Sequence, residues 1–180
     1  MIHRILEFPD PVLREVADPI QEITPEVEDL VDDMFATMHA NSGIGLAAPQ
    51  IGRAIRLIVI ELPHDDEDSE SGVARVLINP ELGLLGKFDM MTEGCLSLPG
   101  YRARVDRAET AVVTYTDLGG LPVCLEANGL LAQAVQHEMD HLNGVLFFDH
   151  LDRLDELEQI VPDGLDWIED GEETESETAG

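Results

Sequence analysis

The sequence GLLAQAVQHEMDHLNG at residues 129–144 contains the pattern His-Glu-x-x-His, formed by His137, Glu138 and His141. Apolar residues precede the pattern at helical spacing and an Asn-Gly stop signal follows it, so we predict a helix over residues 130–142. Histidines four residues apart lie on one face of a helix, where both imidazoles can bind the same metal ion. The glutamate lies on the neighbouring face and can lean toward water at that ion. The segment therefore predicts a helix that carries a metal site.

The third protein ligand of this metal is not fixed by the helix. Catalytic zinc-type sites use three protein ligands and leave a fourth position for water. Cys95 lies in EGCLSLPG, where glycine and proline favour an irregular backbone, whereas Cys124 lies in a predicted strand, where we expect a small buried hydrophobic residue. A thiolate with two neutral imidazoles leaves a divalent ion with net charge near +1, which favours activation of water. The candidates for the third ligand are Cys95, Cys124, Asp149, His150, Glu156 and Glu158.

A helix and a strand are predicted in the first third of the chain. Thr24 and Pro25 form an N-cap and a first-turn proline, and the helix extends over residues 25–41. The segment GIGLAAPQIG, residues 43–52, is too rich in glycine for a regular element. Residues 55–62 are rich in β-branched side chains and predict a buried strand. The apolar positions of the helix are Val27, Leu30, Val31, Met34 and Met38.

Shorter strands are predicted in the middle of the chain. Residues 76–78 form a strand that Asn79 and Pro80 end. Residues 111–116 and 121–125 flank the turn signal DLGG and predict a hairpin. Short strands of this kind favour antiparallel pairing. Two helices among such strands predict an α+β fold.

The length of 180 residues fits one domain, since domains have about 100–200 residues. We expect this domain to span residues 1–168. Residues 169–180, EDGEETESETAG, have no apolar periodicity and carry mutually repelling charges, so we predict an acidic disordered tail.

The composition is strongly acidic, with 38 acidic and 10 basic side chains and a formal charge of −28. Such a surface repels phosphate backbones and anionic lipid, so we expect no nucleic acid binding and no membrane binding. Charged residues interrupt MIHRILEFPD at residues 1–10, so we expect that this segment is not a signal peptide, and no run of about 18 apolar residues predicts a membrane span. We therefore expect a cytoplasmic monomer with reduced cysteines. The acidic excess fits adaptation to high salt as well as an acidic surface in ordinary salt.

Three motifs in order resemble those of peptide deformylase: GIGLAAPQ at residues 43–50, EGCLSLP at residues 93–99 and QHEMDH at residues 136–141. The similarity extends over residues 2–152. The resemblance implies a compact domain in which antiparallel strands surround the central metal-binding helix. It also implies metal-dependent hydrolysis of the N-formyl group from N-formylmethionine at the amino terminus of newly made polypeptides, with release of formate.

The resemblance assigns a role to individual residues. It implies the metal ligands Cys95, His137 and His141, a general acid/base at Glu138, and an oxyanion site made by the Gln50 amide and the backbone N–H of Leu96. It further implies that the glycine-containing segment pairs with the substrate backbone as an added strand. The candidates for this substrate contact and for the methionine side-chain pocket are Gly43, Ile44, Gly45, Leu96, Leu130 and Ala134.

The identity of the metal stays open at this point. Ligand softness favours zinc, whereas the resemblance implies Fe²⁺, which is lost on oxidation and replaced by Zn²⁺, Ni²⁺ or Co²⁺. Ribosome association through a basic C-terminal segment is not expected, because Arg153 is the only basic residue after residue 150.

Two other classes of protein share the His-Glu-x-x-His pattern. A metalloprotease would take its third ligand from downstream and would not need Cys95 or Gln50. A catalytically silent metal-binding protein would keep the ligands but would not need Glu138. Because the chain has Glu138 and Gln50 together, the sequence favours the hydrolase.

Overall fold

The computed structural model describes residues 1–65 and 70–160. Within this part of the chain there are two α-helices, α1 (Pro25–Ala40) and α2 (Gly129–Leu142). The strands are β1 (Gly45–Ala47), β2 (Leu57–Ile60), β3 (Arg75–Cys95), β4 (Leu98–Thr116), β5 (Pro122–Asn128) and β6 (Glu158–Gln159). Short 3₁₀ helices lie at Pro11–Arg14, Ala48–Ile51, Phe147–His150 and Leu154–Glu156.

The strands form one six-stranded sheet in the order β1-β2-β3-β4-β5, with β6 paired to β4. Each of these pairings is antiparallel. Helix α2 packs against strands of this sheet, chiefly β4 and β1. The α+β fold with antiparallel strands around the metal-binding helix is therefore confirmed.

Strand β2 explains why the sheet holds two helices. Its sequence LIVI is fully buried, and side chains alternate between the two faces of a strand. Ile58 and Ile60 pack in a cluster with Val135 of α2, while Leu57 and Val59 pack in a second cluster with Met34 of α1. Each such buried side chain contributes about 1.5–3 kcal/mol to folding. The continuous apolar run thus fixes a sheet that is covered on both faces.

The two predicted helices are confirmed to within one residue at each end. The predicted hairpin is also confirmed: β4 and β5 pair from Thr116 and Pro122 to Thr110 and Asn128, around the turn at residues 117–120. Both predictions rest on local signals, namely the helical period and the turn residues.

The prediction that Asn79 and Pro80 end the strand at residues 76–78 is wrong, because this strand continues as β3 to Cys95. A register shift between Ile78 and Glu81 accommodates the proline, as β-bulges do. Asn79 has φ 50° there, and its side chain bonds both the N–H and the C=O of Ile20 at 2.8 and 2.7 Å.

The segment at residues 43–52 is more regular than predicted, because it contains β1 and the 3₁₀ helix Ala48–Ile51. Pairing with β2 supplies the order that the local sequence lacks. The predicted acidic tail at residues 169–180 lies outside the described residues. Within the described residues, no helix is both long and apolar enough to span a bilayer.

Gly144 lies two residues after the end of α2 and packs against the backbone of Arg14 in the amino-terminal segment. Its φ is +70°, and a Cβ on it would lie 2.5 Å from the carbonyl oxygen of Arg14. Gly120 has φ +80° but no atom within 4 Å of its would-be Cβ. We expect Gly120→Ala to lower the free energy of unfolding by about 1–2 kcal/mol through backbone strain alone. Gly144→Ala should cause the same backbone strain and also a steric clash with the carbonyl oxygen of Arg14, which costs a further ~1–3 kcal/mol.

Urea unfolding at fixed zinc saturation measures both values, since bound metal stabilises the native state. An equal decrease in the free energy of unfolding for the two variants would show that the contact with Arg14 is unimportant.

Candidate metal centre

Helix α2 and the end of strand β3 bring Cys95, His137 and His141 together. The imidazole rings of the two histidines are 5.0 Å apart, as expected for positions one helical turn apart. The Sγ atom of Cys95 lies 3.2 Å from Nε2 of His141. One ligand atom from each of the three residues lies within 4.8 Å of the other two. This is the cluster that the resemblance implied.

The donor set fits a divalent transition metal. One thiolate and two imidazoles match a three-ligand catalytic site that keeps an open position. Nδ1 of His137 bonds Oε2 of Glu93 at 2.9 Å, which leaves Nε2 for a metal. Burial lowers the pKa of His141 well below its ordinary range, so this imidazole is neutral, as metal binding requires.

The other candidates for the third ligand lie elsewhere or have other partners. Cys124 is exposed on β5, so the prediction that it is a buried hydrophobic residue is wrong. Asp149 pairs with Arg14, and Glu158 pairs with Arg102. Among the described residues, only Cys95 joins the two histidines as a third candidate ligand.

A buried ion pair between Arg107 and Glu93 lies next to His137. Arg107 donates to both oxygens of Glu93, at 2.7 and 2.9 Å, and to Asp140 at 2.7 Å. Burial alone would raise the pKa of Glu93, but hydrogen bonds from Arg107 and His137 lower it to about 2. Glu93 is therefore a carboxylate that fixes the orientation of the His137 ring.

Glu93 and Arg102 are oppositely charged residues on the two sides of the cysteine loop, but they do not pair with each other. The Nε of Arg102 instead bonds Glu158 of β6 at 2.9 Å, because Arg102 lies on the solvent side of β4. Arg107 lies five residues further along the strand, and nothing in the sequence singles it out.

Glu138 lies beside the cluster and is 5% exposed. Burial raises the pKa of its carboxyl group to about 7. Its Oε2 has no hydrogen-bond partner among the described residues. A Cβ on Gly45 would lie 2.5 Å from its Oε1. Glycine at this position therefore makes room for a carboxyl group that can gain or lose a proton near neutral pH.

Gln50 approaches the same cluster from the 3₁₀ helix after β1. Its Oε1 accepts the N–H of Ala47 at 2.9 Å, so its Nε2 points the other way. That Nε2 donates to Oγ of Ser97 at 3.2 Å and to Sγ of Cys95 at 3.7 Å. A neutral amide donor thus faces the metal ligands. Sequence reasoning did not select Ser97, although it lies two residues after Cys95 in the quoted motif.

A cleft of about 940 Å³ opens at the site. Every site residue predicted from the sequence lines this cleft except His141, which is buried and lies next to Cys95. The predicted contacts with substrate differ in exposure, since Leu130 is 46% exposed and Ala134 only 4%. The residues from the prediction that line the cleft are Gly43, Ile44, Gly45, Gln50, Cys95, Leu96, Leu130, Ala134, His137 and Glu138.

Comparisons with known proteins agree with this geometry. The family described as polypeptide deformylase matches residues 2–157. A peptide deformylase of Rhodopseudomonas palustris (strain TIE-1) is 46% identical over 154 residues, which are 85% of this chain and 87% of the relative.

Two solved structures superimpose well on the fold. The peptide deformylase of Legionella pneumophila is 42% identical with a TM-score of 0.79, over 86% of this chain and 88% of that one. A class I type b peptide deformylase of Acinetobacter baumannii, solved with bound Met-Ala-Ser, is 33% identical with a TM-score of 0.79 over 84% and 99%.

The two cysteines provide a test of the metal centre. Cys95→Ser should weaken Zn²⁺ affinity by more than about 10-fold, because a hydroxyl is a poorer ligand than a thiolate. Cys124→Ser is the matched control and should keep the wild-type affinity, since this residue is exposed on β5. Competition with a chromophoric chelator measures both. The same zinc affinity in the two variants would remove Cys95 from the metal centre.

Proposed function

The chain belongs to the polypeptide deformylase family, whose activity is metal-dependent removal of the N-formyl group from new polypeptides, and we propose which of its residues carry that reaction. The convergence of Cys95, His137 and His141 with Glu138 and Gln50 in one cleft is the observation that supports the assignment. Each of these residues has a side chain suited to one step of formamide hydrolysis.

Cys95, His137 and His141 would hold one divalent metal ion. When bound, such an ion supplies Lewis acidity that activates water near neutral pH. We propose Fe²⁺ as the ion in the cell, with Zn²⁺, Ni²⁺ or Co²⁺ able to take its place. The thiolate and imidazole donors accept all four, and the preference for iron follows from the family resemblance.

Glu138 would act as the general acid/base. It takes a proton from the attacking water and delivers it to the departing amine, which would otherwise be a very poor leaving group. A pKa of about 7, raised by burial, suits a group that must accept and return a proton in one cycle. Its position one residue after His137 places it beside the metal ligands.

Gln50 would stabilise the oxyanion that forms when the formyl carbonyl is attacked. Its Nε2 faces Cys95, and a neutral amide can donate a hydrogen bond there without adding charge. We propose the backbone N–H of Leu96, in the turn between β3 and β4, as the second donor. The support for Leu96 is its place between Cys95 and Ser97 and its position on the cleft wall.

The substrate would bind along β1. In the described structure β1 pairs only with β2, so its other edge can accept an extended peptide as an added strand. Gly45, the first residue of β1, and Gly43 and Ile44 just before it line the cleft. The methionine side chain of the substrate would then contact Ile44, Leu130 and Ala134, which line the same cleft. The Met-Ala-Ser bound to the Acinetobacter baumannii relative has the sequence expected of such a product.

The proposed setting is the cytoplasm, where newly made formylmethionyl chains are available, with the enzyme acting as a monomer. Contact with the ribosome through a basic C-terminal segment is not part of the proposal. Arg153 is the single basic residue of the described segment after His150, and it pairs with Asp155.

The proposed activity is tested with formyl-Met-Ala-Ser and an assay for formate. We expect the metal-loaded protein to release formate, and we expect Glu138→Gln to lower kcat by ~10² to 10⁴, the usual contribution of general acid/base catalysis. Metal content serves as the control and should be equal in the two proteins. No formate from the metal-loaded wild type would refute the function, and a near-normal rate in Glu138→Gln would refute the role of that residue.

Gly45 provides a second test, based on its contact with Glu138. An added methyl group at Gly45 must displace the buried carboxyl group, and displacement by about 1 Å can cost 10²-fold in rate. Gly83→Ala on β3 is the control, since the nearest atom to its would-be Cβ lies at 3.7 Å. We expect Gly45→Ala to lose about 100-fold in kcat with unchanged metal content, and Gly83→Ala to retain activity. A Gly45→Ala enzyme as fast as Gly83→Ala would contradict the crowding argument.

A further inference from the structure

The hydroxyl of Ser97 is a buried polar group that the proposed reaction does not use directly. Ser97 is 1% exposed and Gln50 is 2% exposed, so their contact is sealed from solvent. The Nε2 of Gln50 donates to Oγ of Ser97 at 3.2 Å. Because both residues are buried, this bond is not exchanged for a bond to solvent.

The Gln50 amide can adopt only one of its two flipped orientations. Its Oε1 accepts the N–H of Ala47, and a backbone N–H cannot accept a bond from an amide NH₂. Its Nε2 therefore lies on the side of Ser97 and Cys95. Ala47 lies on β1 and Ser97 lies in the turn between β3 and β4, so two different elements fix the amide.

The two protons on Nε2 of Gln50 have unequal partners. Nε2 lies 3.2 Å from Oγ of Ser97 and 3.7 Å from Sγ of Cys95, and sulfur is the weaker hydrogen-bond acceptor. The proton that faces Cys95 is thus the one available to a substrate carbonyl. The proton held by Ser97 keeps the plane of the amide in place while the other one is used.

The backbone of Ser97 is tied to the same site. Its N–H donates to Sγ of Cys95 at 3.4 Å, and its C=O accepts the N–H of Phe8 at 2.8 Å. One residue therefore contacts a metal ligand through its backbone and the polarising amide through its side chain. This arrangement sets where the amide lies relative to Cys95.

We propose that Ser97 is a positioning residue that aims the free N–H of Gln50 at the reacting carbonyl. The inference rests on the proposed function and assigns Ser97 no contact with substrate. It predicts that loss of the hydroxyl lowers kcat, with KM for the formyl peptide unchanged. Oxyanion donors contribute about 10² to 10³ in rate, and we expect misalignment of the donor to cost about 10-fold.

A double-mutant cycle separates positioning from a general structural effect. The four zinc-loaded proteins are wild type, Ser97→Ala, Gln50→Ala and the double variant, assayed on formyl-Met-Ala-Ser. We expect Ser97→Ala to lower kcat about 10-fold in the wild-type background and less than about 2-fold in the Gln50→Ala background. The same fold loss in both backgrounds would overturn the proposal.

Two variants control for the loss of a buried hydroxyl. Ser97→Thr retains the hydroxyl and should keep kcat within about 3-fold of wild type. Thr37→Ala removes the buried hydroxyl of α1, which bonds the backbone of Asp33 and His3 and does not bond the Gln50 amide. It should lower the melting temperature and leave kcat unchanged. A loss of kcat in Thr37→Ala equal to that in Ser97→Ala would overturn the proposal.

A spectroscopic readout tests the contact without any turnover. The side-chain amide ¹⁵N–¹H signals of Gln50, identified by their loss in Gln50→Glu, should be dispersed and slow to exchange in the wild type. Solvent-like, fast-exchanging signals in the wild type would overturn the proposal even if Ser97→Ala does not fold. If the wild type releases no formate while these signals are protected, the proposed function fails and the Ser97 contact stands.

Discussion

The buried ion pair between Arg107 and Glu93 is the interaction on which the site depends. It joins β4 to β3, and through His137 and Asp140 it also joins both strands to α2. The side chains are 5% and 2% exposed, so each charge relies on the other for its solvation. Removing one partner of such a pair typically costs about 3–5 kcal/mol. Strand β3 and helix α2, which carry the candidate metal ligands, are therefore held together by charges whose separation would cost much of the free energy of unfolding.

The cleft depends on close approach of backbone as well as on charge. β1 runs beside α2 so closely that a Cβ on Gly45 would overlap the carboxyl group of Glu138. A Cβ on Gly43 would lie 2.8 Å from the side chain of Leu96. The absence of side chains at Gly43 and Gly45 thus lets this backbone approach Leu96 and Glu138 closely. The same closeness buries Glu138, and burial raises the pKa of its carboxyl group to about 7.

Local patterns predicted the helices and the β4–β5 hairpin well, whereas β3 shows where they fail. Asn79 and Pro80 are strand-ending residues, yet β3 continues through them because the side chain of Asn79 bonds the backbone of Ile20. That partner is 59 residues away in sequence. The partner of Glu93 is hidden from the sequence for a related reason: Arg102 is nearer in sequence, but the buried face of β4 carries Arg107.

The sequence by itself determined the two helices α1 and α2, the β4–β5 hairpin, the pair of histidines His137 and His141, and a set of motifs that resemble one family. These follow from the helical period, turn residues and short motifs, which act within a few residues of one another. The family resemblance implied Cys95 as the third ligand, whereas the residue types alone left Cys124 and other candidates open; the tertiary structure places Cys95 beside the histidines. Only the tertiary structure showed that Gln50 is held by Ser97. These contacts join residues more than 40 positions apart, so they depend on how β3 and the segment after β1 pack against α2.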